Sequence, residues 1–357
     1  MKNLNIPAFR LHQQNIIKSR FDTPQYLVAY MGAIQAQDYP MSKFAIGLRL
    51  PNATDATIEA ALDAGELVRT HVLRPTWHIV SGQDVRWMLA LTGKSIKASA
   101  ASRDRDLGID AALYAKTNDL IVKALEGGKN LTREEIMQYL EQHGVATNSS
   151  LAVHFMMNAE TDAIVCNGKM RGKDITYALM DEKVPKGLDL SREEALATLA
   201  ERYFTSHAPA TVHDFQWWSG LNMTDAKKGL ESIKNQLNTV DFNGKTYFFS
   251  KNHDYTEGVE SLFFLPAFDE YTVSYKDRST IFDPIWHKEA ITSNGIFKPI
   301  IVANGKVVGI WKRTIAKNKV VVEPSFFSKT DALPPETIQK VMQKFGDFLG
   351  LSVQVKI

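Results

Sequence analysis

The sequence contains almost no cysteine and no long apolar run, and both absences narrow the class of protein. Among 357 residues Cys166 is the only cysteine, so an intrachain disulfide framework is excluded and a reducing compartment is expected. No segment approaches the ~20 consecutive apolar residues of a membrane span. The first residues also lack the apolar run of a signal peptide. We therefore expect a cytoplasmic protein that does not enter a membrane.

A strong net charge and the common catalytic signatures are missing as well. The chain has 42 Lys and Arg against 40 Asp and Glu, so bulk charge supplies no attraction for nucleic acid. It has no HExxH, no paired CxxC, no G-x-S-x-G and no glycine-rich phosphate loop. We expect neither a metal nor a cofactor. Cys166 lies in an apparent strand and is interpreted as a small buried apolar residue.

A pattern of helices followed by a β-hairpin occurs three times along the chain. The hairpins are formed by ELVRTHV with PTWHIVS, by strands on either side of Asn167–Gly168, and by strands on either side of Asn243–Gly244. Capping boxes at Thr132–Glu135 and Ser191–Glu194 open helices in the second and third repeats. Helices followed by a hairpin with a basic turn are typical of a winged helix-turn-helix. A generic α+β protein with hairpins stays open as the alternative.

The last third of the chain has a different pattern. Strand-like segments alternate with tight turns at Asn304–Gly305 and Lys317–Asn318, and a closing helix ends at Gly350. The predicted fold class is α+β, with three tandem winged helix-turn-helix units followed by a small antiparallel β-barrel. The predicted domains are 1–82, 83–185, 186–252 and 253–357, with short linkers near 83, 183–190 and 251–258.

The stretch MGAIQAQDYP places Gln35 and Gln37 one alanine apart, at the predicted end of a helix. A glutamine amide accepts a hydrogen bond through its oxygen and donates through its NH₂ group, so it can orient a water molecule. Residues i and i+2 do not share a helix face, so the two amides converge only if the helix ends there. Asp38 and Pro40 favour such an ending. The alternative is a helix cap or a bridge between domains.

Two further groups of residues carry candidate roles. Asp269 and Glu270 form an acidic pair in an apolar stretch, which indicates either a structural ion pair or residues near a site, because buried carboxylates need partners.

The basic residues of the turns and of the barrel would contact DNA phosphates if they shared one surface; they are Arg69, Arg74, Lys169, Arg171, Lys173, Lys312 and Arg313. Trp217 and Trp218 are interpreted as core residues.

Four blocks in order, GAIQAQDYP, LRPTWHIV, HAPATVHDFQWWSGL and FLPAFDEYTVSYKDR, resemble the AlkZ-like DNA glycosylases of the winged-helix superfamily. The resemblance covers nearly the whole chain. It implies a concave DNA-binding surface and a catalytic paired-glutamine motif, which here falls on Gln35 and Gln37. One departure is Arg74-Pro75-Thr76, where the family commonly has arginine-glycine-threonine. Proline fixes φ and removes a donor, so the local shape is expected to differ.

The resemblance implies a monofunctional enzyme that acts as a monomer on double-stranded DNA and hydrolyses the N-glycosidic bond of cationic alkylated purines. Bulky adducts and interstrand crosslinks stay open as substrates. A cationic purine is a good leaving group, so placing a water could supply much of the catalysis. Thr76, His78, Asp269 and Glu270 are expected to contact the lesion or to support the glutamines. The alternatives are a non-enzymatic winged-helix DNA-binding regulator and a protein-interaction scaffold.

Overall fold

The computed structural model describes residues 4–253, 255, 261–331 and 333–356. These residues form two compact units. Unit 1 comprises the described residues of 1–59, 196–218 and 222–357, and unit 2 comprises 60–195 and 219–221. The predicted linker near 251–258 includes residues 254 and 256–258, which lie outside the described residues. The predicted α+β class is confirmed.

The helices of the described residues follow the chain in this order: α1 Ile6–Gln13, α2 Pro24–Met31, α3 Tyr39–Gly47, α4 Asp55–Asp63, α5 Val85–Asp106, α6 Ala111–Leu125, α7 Arg133–Gln142, α8 Ser149–Thr161, α9 Met180–Lys183, α10 Arg192–Ser206, α11 Val212–Ser219, α12 Met223–Ile233, α13 Glu270–Val273, α14 His287–Ala290 and α15 Pro335–Leu349.

The strands are β1 Ile34–Gln35, β2 Leu67–His71, β3 Trp77–Ser81, β4 Leu131–Thr132, β5 Val165–Asn167, β6 Thr176–Leu179, β7 Leu237–Phe242, β8 Lys245–Ser250, β9 Leu262–Leu265, β10 Ile300–Ala303, β11 Lys306–Ala316, β12 Lys319–Phe326 and β13 Ser352–Val355. The predicted hairpins β2–β3, β5–β6 and β7–β8 are all present and antiparallel.

In unit 2 a helix, a short strand, two helices and a hairpin follow one another. These are α6, β4, α7, α8 and β5–β6, and β4 pairs with β6, the second strand of the hairpin. The predicted capping box is present, because Thr132 Oγ1 accepts from Glu135 N at 3.2 Å and Glu135 Oε2 accepts from Thr132 N at 2.7 Å. The apolar faces of these elements form one buried core, which includes Ile121, Ile136, Leu140, Phe155 and Val165.

Unit 1 repeats part of this order. Helices α10, α11 and α12 precede the hairpin β7–β8, and Ala210, two residues before α11, again pairs with the second hairpin strand. Ala210 and Phe248 exchange two backbone hydrogen bonds of 2.8 and 3.1 Å. The hairpin turns at Asn243 and Gly244 with φ of +50° and +73°, as the asparagine-glycine sequence predicts.

The C-terminal sheet of unit 1 differs from the predicted antiparallel barrel. Five strands lie in the order β13–β12–β11–β10–β9, and the two edge strands β9 and β13 do not pair with each other. The pair β12–β13 is parallel because the chain returns to the sheet through α15, and a helical crossover produces a parallel neighbour. The predicted closing helix is present, and Gly350 ends it in the left-handed region.

Three local predictions around the candidate site were wrong. The helix through PQYLVAYMGAIQAQ ends at Met31, so the glutamines do not lie at its end. The stretch after Phe268, predicted as a strand, forms α13. Helix α3 was missed because Pro40 looked like a terminator, whereas proline is compatible with the first helical turn.

None of the helices in the described part of the chain has the length and apolarity that crossing a membrane requires.

Candidate active site

The two glutamines lie between helices α2 and α3 of unit 1. Helix α2 ends because Gly32 takes φ +78°, a conformation that side chains with a Cβ rarely adopt. The chain then becomes extended, with Gln35 in β1 and Gln37 in the bend before α3. Asp38 caps α3 by accepting a hydrogen bond from Met41 N at 3.2 Å. The glutamines therefore occupy a short extended segment that is held at both ends.

The two glutamine side chains have different surroundings. Gln35 is 5% exposed, and its side-chain oxygen accepts a hydrogen bond from Ala36 N at 2.8 Å. Gln37 is exposed at the surface of unit 1. One acceptor site of the Gln35 amide is thus already used within the segment, and Gln37 is the glutamine presented to solvent.

Glu270 connects this segment to the acidic pair predicted from the sequence. Its Oε1 accepts a hydrogen bond from the backbone N–H of Gln35 at 2.6 Å. Its Oε2 accepts from Trp218 Nε1 at 3.1 Å and from the hydroxyl of Ser274. Glu270 and Trp218 are fully buried. A buried carboxylate needs such donors, because desolvation without them is costly.

Asp269 forms the other half of the acidic pair and faces a different partner. Its two carboxylate oxygens accept hydrogen bonds from Nη1 and Nη2 of Arg49, each at 2.8 Å, and both side chains are fully buried. Arg49 also donates to the backbone oxygens of Gln14 and Ala45. This bidentate pair joins α13 to the segment after α3, so Asp269 is an ion-pair residue and Glu270 is the residue that contacts the glutamine segment.

The backbone before these carboxylates is strained. Phe268 has φ +57°, which is an outlier for a bulky side chain. Its N–H donates to Phe297 O at 3.2 Å, and Asp269 Oδ1 accepts from Tyr271 N at 2.9 Å, capping α13. Such a conformation costs about 1–3 kcal/mol and persists only where neighbours impose it, often near functional sites.

His207 lies beside Glu270 and was not predicted as a site residue. It is fully buried, with Nε2 3.5 Å from Glu270 Oε2 and Nδ1 2.7 Å from Ser206 Oγ. Burial lowers the pKa of His207, and the hydrogen-bonding and charge of Glu270 act in the opposite direction. Both His207 and Trp218 fall in the block HAPATVHDFQWWSGL, which was the only sequence signal for them.

A surface cleft of about 610 Å³ borders the glutamine segment in unit 1. Asp38, the residue after Gln37, lies on its wall together with Phe268, Phe297, Lys312 and Arg313. Arg313 Nη2 is 3.6 Å from Asp38 Oδ1. Burial lowers the pKa of Arg313, while Asp38 raises it. The cleft combines cationic side chains with aromatic surface, a combination suited to a nucleic-acid strand.

The candidate residues of the first hairpin lie in unit 2. Arg69 is buried in β2, with its guanidinium 4.6 Å from the centre of the Trp77 ring. His78 is fully buried in β3, and its Nδ1 is 3.0 Å from the backbone oxygen of Thr76. Arg74 and Thr76 lie partly exposed in the turn between the strands. At the start of this turn Leu73 has φ +66°, a further strained position.

The second basic turn of unit 2 connects β5 to β6 and is exposed. Lys169, Arg171 and Lys173 all present their side chains to solvent. Arg171 Nη2 is 2.5 Å from Glu135 Oε2, so this cation already has an ion-pair partner. Cys166, in the middle of β5, is fully buried, and burial raises the pKa of its thiol to about 12. The thiol is therefore protonated near neutral pH, as expected for a core residue.

Metal binding finds no support in the described residues, where no group of three His, Cys, Asp or Glu side chains is placed to share an ion. Unit 2 does contain an unpredicted buried pair, His71 Nδ1 with Glu160 Oε2. It joins β2 to α8, and the His71 ring lies 4.5 Å from that of Trp77.

Comparison with known proteins gives consistent matches along the chain. A curated relative from Streptomyces sahachiroi, an interstrand DNA cross-link repair glycosylase, is 23% identical over 362 residues, which cover 97% of this chain and 96% of the relative. The solved structure of the Streptomyces sahachiroi DNA glycosylase AlkZ has the same fold, with a TM-score of 0.82, 21% identity and full coverage of both chains.

The family model described as DNA glycosylase AlkZ-like matches residues 28–349, a range that includes both glutamines, the carboxylate pair and His207. This match extends over most of the chain. The chain therefore belongs to the AlkZ-like DNA glycosylase family.

Proposed function

We propose that this protein hydrolyses the N-glycosidic bond of cationic alkylated purines in double-stranded DNA, with Gln35 and Gln37 positioning the attacking water. The observation that carries the proposal is the extended glutamine segment, anchored by Glu270 and followed directly by the wall of a cationic cleft. Gln35 is held in this segment and Gln37 lies exposed in the bend that follows it, beside the cleft wall at Asp38.

The chemistry requires little acid catalysis from the protein. The bond between C1′ and the purine nitrogen breaks, and its electron pair neutralises the positive charge of the alkylated base. The water oxygen forms the new bond to C1′ and releases a proton to solvent. A glutamine amide oxygen can accept a hydrogen bond from this water and hold it in line with C1′, and such positioning can lower a barrier by several kcal/mol.

We propose that the reaction is monofunctional and leaves an abasic site without strand cleavage. The environment of Lys43, the lysine nearest to the motif in sequence, supports this proposal. Lys43 on α3 lies 2.8 Å from Asp55 Oδ2 and 2.7 Å from Glu59 Oε2. Burial lowers the pKa of Lys43, but the two carboxylates outweigh burial and raise it above its ordinary value. An amine kept protonated is a poor nucleophile for a Schiff base.

Duplex DNA is the proposed partner of a monomeric protein. Lys312 and Arg313 would contact phosphates at the cleft, and Lys169 and Lys173 would do so at the second hairpin. Arg171 would first have to break its ion pair with Glu135, and Arg69 is buried, so we expect both to contribute less to DNA affinity. Arg74 would contact DNA from the first turn. Thr76 and His78 are proposed to support that turn.

We also infer that the helix, short strand, two helices and hairpin form a tandem winged-helix arrangement with domains 1–82, 83–185, 186–252 and 253–357. The second and third repeats share the pairing of a short segment with the second hairpin strand. In the first repeat β1 has the same position in the order, between α2 and α3. The glutamines would thus occupy the short-strand position of the first winged helix.

Because the Streptomyces sahachiroi relative is an interstrand DNA cross-link repair glycosylase, we extend the proposed substrates to interstrand crosslinks. The test is base release from duplex DNA that contains 7-methylguanine, and then from a nitrogen-mustard crosslink. Wild type, Gln35→Ala, Gln37→Ala and the double variant are compared, with Gln343→Ala on the exposed face of α15 as the control glutamine.

Release by wild type and the control, and its loss in the double variant while DNA affinity persists, would support catalytic glutamines. Full activity of the double variant would reject that role. DNA binding without release of either lesion would instead favour a non-enzymatic winged-helix DNA-binding protein.

A further inference from the structure

Glu270 accepts a hydrogen bond from the backbone of the glutamine segment, from a position 235 residues further along the chain. We propose that Glu270 is a positioning residue for base release, which holds the backbone of Gln35 and thereby sets the orientation of Gln37. The proposal rests on the proposed function, since it concerns how the same site is kept in place.

The contact has the properties of a rigid anchor. The distance of 2.6 Å between Gln35 N and Glu270 Oε1 is short for an N–H donor, as expected when the acceptor is charged. Both residues are buried, so water does not compete for the bond. The β1 strand is only two residues long and has few other means of fixing its backbone.

The carboxylate is itself held from several sides. Trp218 Nε1 and Ser274 Oγ donate to Oε2, and Oε1 accepts from Gln35 N. The Trp218 ring also packs against the end of α2, because a Cβ at Gly32 would lie 3.0 Å from its Cη2 atom. The same tryptophan therefore contacts both the carboxylate and the glycine that opens the glutamine segment.

Holding Gln35 requires an acceptor oxygen, and Glu270 supplies Oε1 for this contact while Oε2 accepts from its other donors. The neighbouring Asp269 already supplies the ion pair that joins α13 to the rest of unit 1. Glu270 is therefore the carboxylate of the pair that contacts the glutamine segment, and the strained Phe268, with φ +57°, precedes the pair.

The experiment compares Glu270→Ala, Glu270→Gln and the control Glu160→Gln, which removes a buried charge that is paired with His71 and has no part in the glutamine segment. Single-turnover release of 7-methylguanine and the dissociation constant for the same duplex are measured for each protein. Glu270→Ala is expected to lower the release rate by about 100-fold, because small displacements of positioning groups have effects of this size. DNA affinity should change little.

Glu270→Gln should recover most of the rate, because its amide oxygen can still accept from Gln35 N. Glu160→Gln should lower thermal stability but keep the release rate at temperatures where it is folded. If Glu270→Ala does not fold, Glu270→Asp is the second variant, since its shorter side chain retains the charge and withdraws from Gln35. Equal loss of rate in the Glu270 variants and in Glu160→Gln would overturn the proposal.

Hydrogen exchange of the Gln35 amide gives a readout that does not depend on activity. Exchange should accelerate in Glu270→Ala, or in Glu270→Asp if that variant is used, and stay slow in Glu270→Gln and Glu160→Gln. An unchanged Gln35 amide in the Ala or Asp variant would contradict the anchor directly. If wild type releases neither 7-methylguanine nor a crosslink, the proposed function fails, while the exchange comparison still decides whether Glu270 holds Gln35.

Discussion

At the scale of single residues, Gln35 and Gln37 differ although they form one motif. Gln35 is buried and bound to its own segment through Ala36, whereas Gln37 faces solvent beside the cleft wall at Asp38. A residue that is held in place and a residue that is presented to substrate should respond differently to truncation. The motif thus combines a scaffold residue with an exposed one.

We predict that Gln35→Ala lowers both the stability and the base-release rate, whereas Gln37→Ala lowers the rate alone. Removing the Gln35 oxygen takes away a buried acceptor, at a cost of about 1–3 kcal/mol. Truncating an exposed side chain changes stability by about 0.5 kcal/mol or less. Urea unfolding and single-turnover release would measure both quantities, and an unchanged unfolding midpoint for Gln35→Ala would contradict the prediction.

His207 gives the molecule a predictable pH response. Burial keeps the pKa of this imidazole below the ordinary value of 6.5, so the unfolded chain takes up the proton first as pH falls. The contribution of His207 to the free energy of unfolding is fully present above pH 6.5. It is lost progressively as the pH falls from 6.5 toward the lowered folded-state pKa, with a slope of at most about 1.4 kcal/mol per pH unit.

We expect the free energy of unfolding of His207→Gln to depend less steeply on pH below pH 6.5 than that of wild type. His213→Gln, at an exposed position on α11, serves as the control and should retain the wild-type slope. Identical slopes for wild type and His207→Gln in denaturant titrations would show that His207 does not carry the effect. The groups that face His207 are Glu270, Ser206 and the rings of Tyr203 and Trp218.

At the scale of elements, the end of helix α2 decides where the glutamines lie. Gly32 has φ +78°, and a Cβ there would lie 3.0 Å from Trp218 Cη2, closer than an ordinary van der Waals contact. Had the helix continued, as its apolar sequence suggests, Gln35 and Gln37 would lie on different helix faces. A backbone conformation available mainly to glycine therefore converts a helical sequence into an extended segment.

We predict that Gly32→Ala destabilises the protein more than Gly295→Ala does. The two glycines have nearly the same φ, +78° and +79°, but a Cβ at Gly295 would meet nothing within 4 Å. Gly295→Ala should cost about 1–2 kcal/mol for the left-handed backbone alone. Thermal unfolding would measure the difference, and equal losses for the two variants would show that the Trp218 contact is unimportant.

Most elements were predictable because their signals are local. The capping box at Thr132 and the asparagine-glycine turns at 243–244 and 304–305 are present as predicted. Helix α13 was not predictable, since its apolar sequence resembles a strand and its cap depends on the strained Phe268. Strand β13 was also missed, because it has only four residues and its pairing with β12 is a tertiary contact.

At the scale of the whole molecule, the nearly neutral net charge means that DNA affinity depends on where the cations are placed. Lys312 and Arg313 lie along one cleft of unit 1, and Lys169 and Lys173 lie on an exposed turn of unit 2. Each unit thus offers its own basic site. Each Lys or Arg that contacts a phosphate releases a counterion from the DNA. The salt dependence of DNA affinity therefore reports the number of such contacts.

We predict that Lys312→Gln reduces the slope of log K against log salt concentration by about 0.9 for duplex DNA. Lys116→Gln, which replaces an exposed lysine on α6 outside the basic turns, should leave the slope unchanged. Fluorescence anisotropy titrations across a range of salt concentrations would measure both. A slope that is the same in wild type and Lys312→Gln would remove Lys312 from the DNA contacts.

The sequence by itself determined the α+β class, the three hairpins, the order of the family blocks and the glutamine motif, because periodicity, caps and turn residues act over a few positions. The tertiary structure alone decided which residues meet. Glu270 reaches Gln35 across 235 residues, and Asp269 reaches Arg49 across 220. Contacts between residues so far apart in sequence leave no local sequence pattern. They form because a buried carboxylate requires hydrogen-bond donors, and only the folded chain brings those donors close to it.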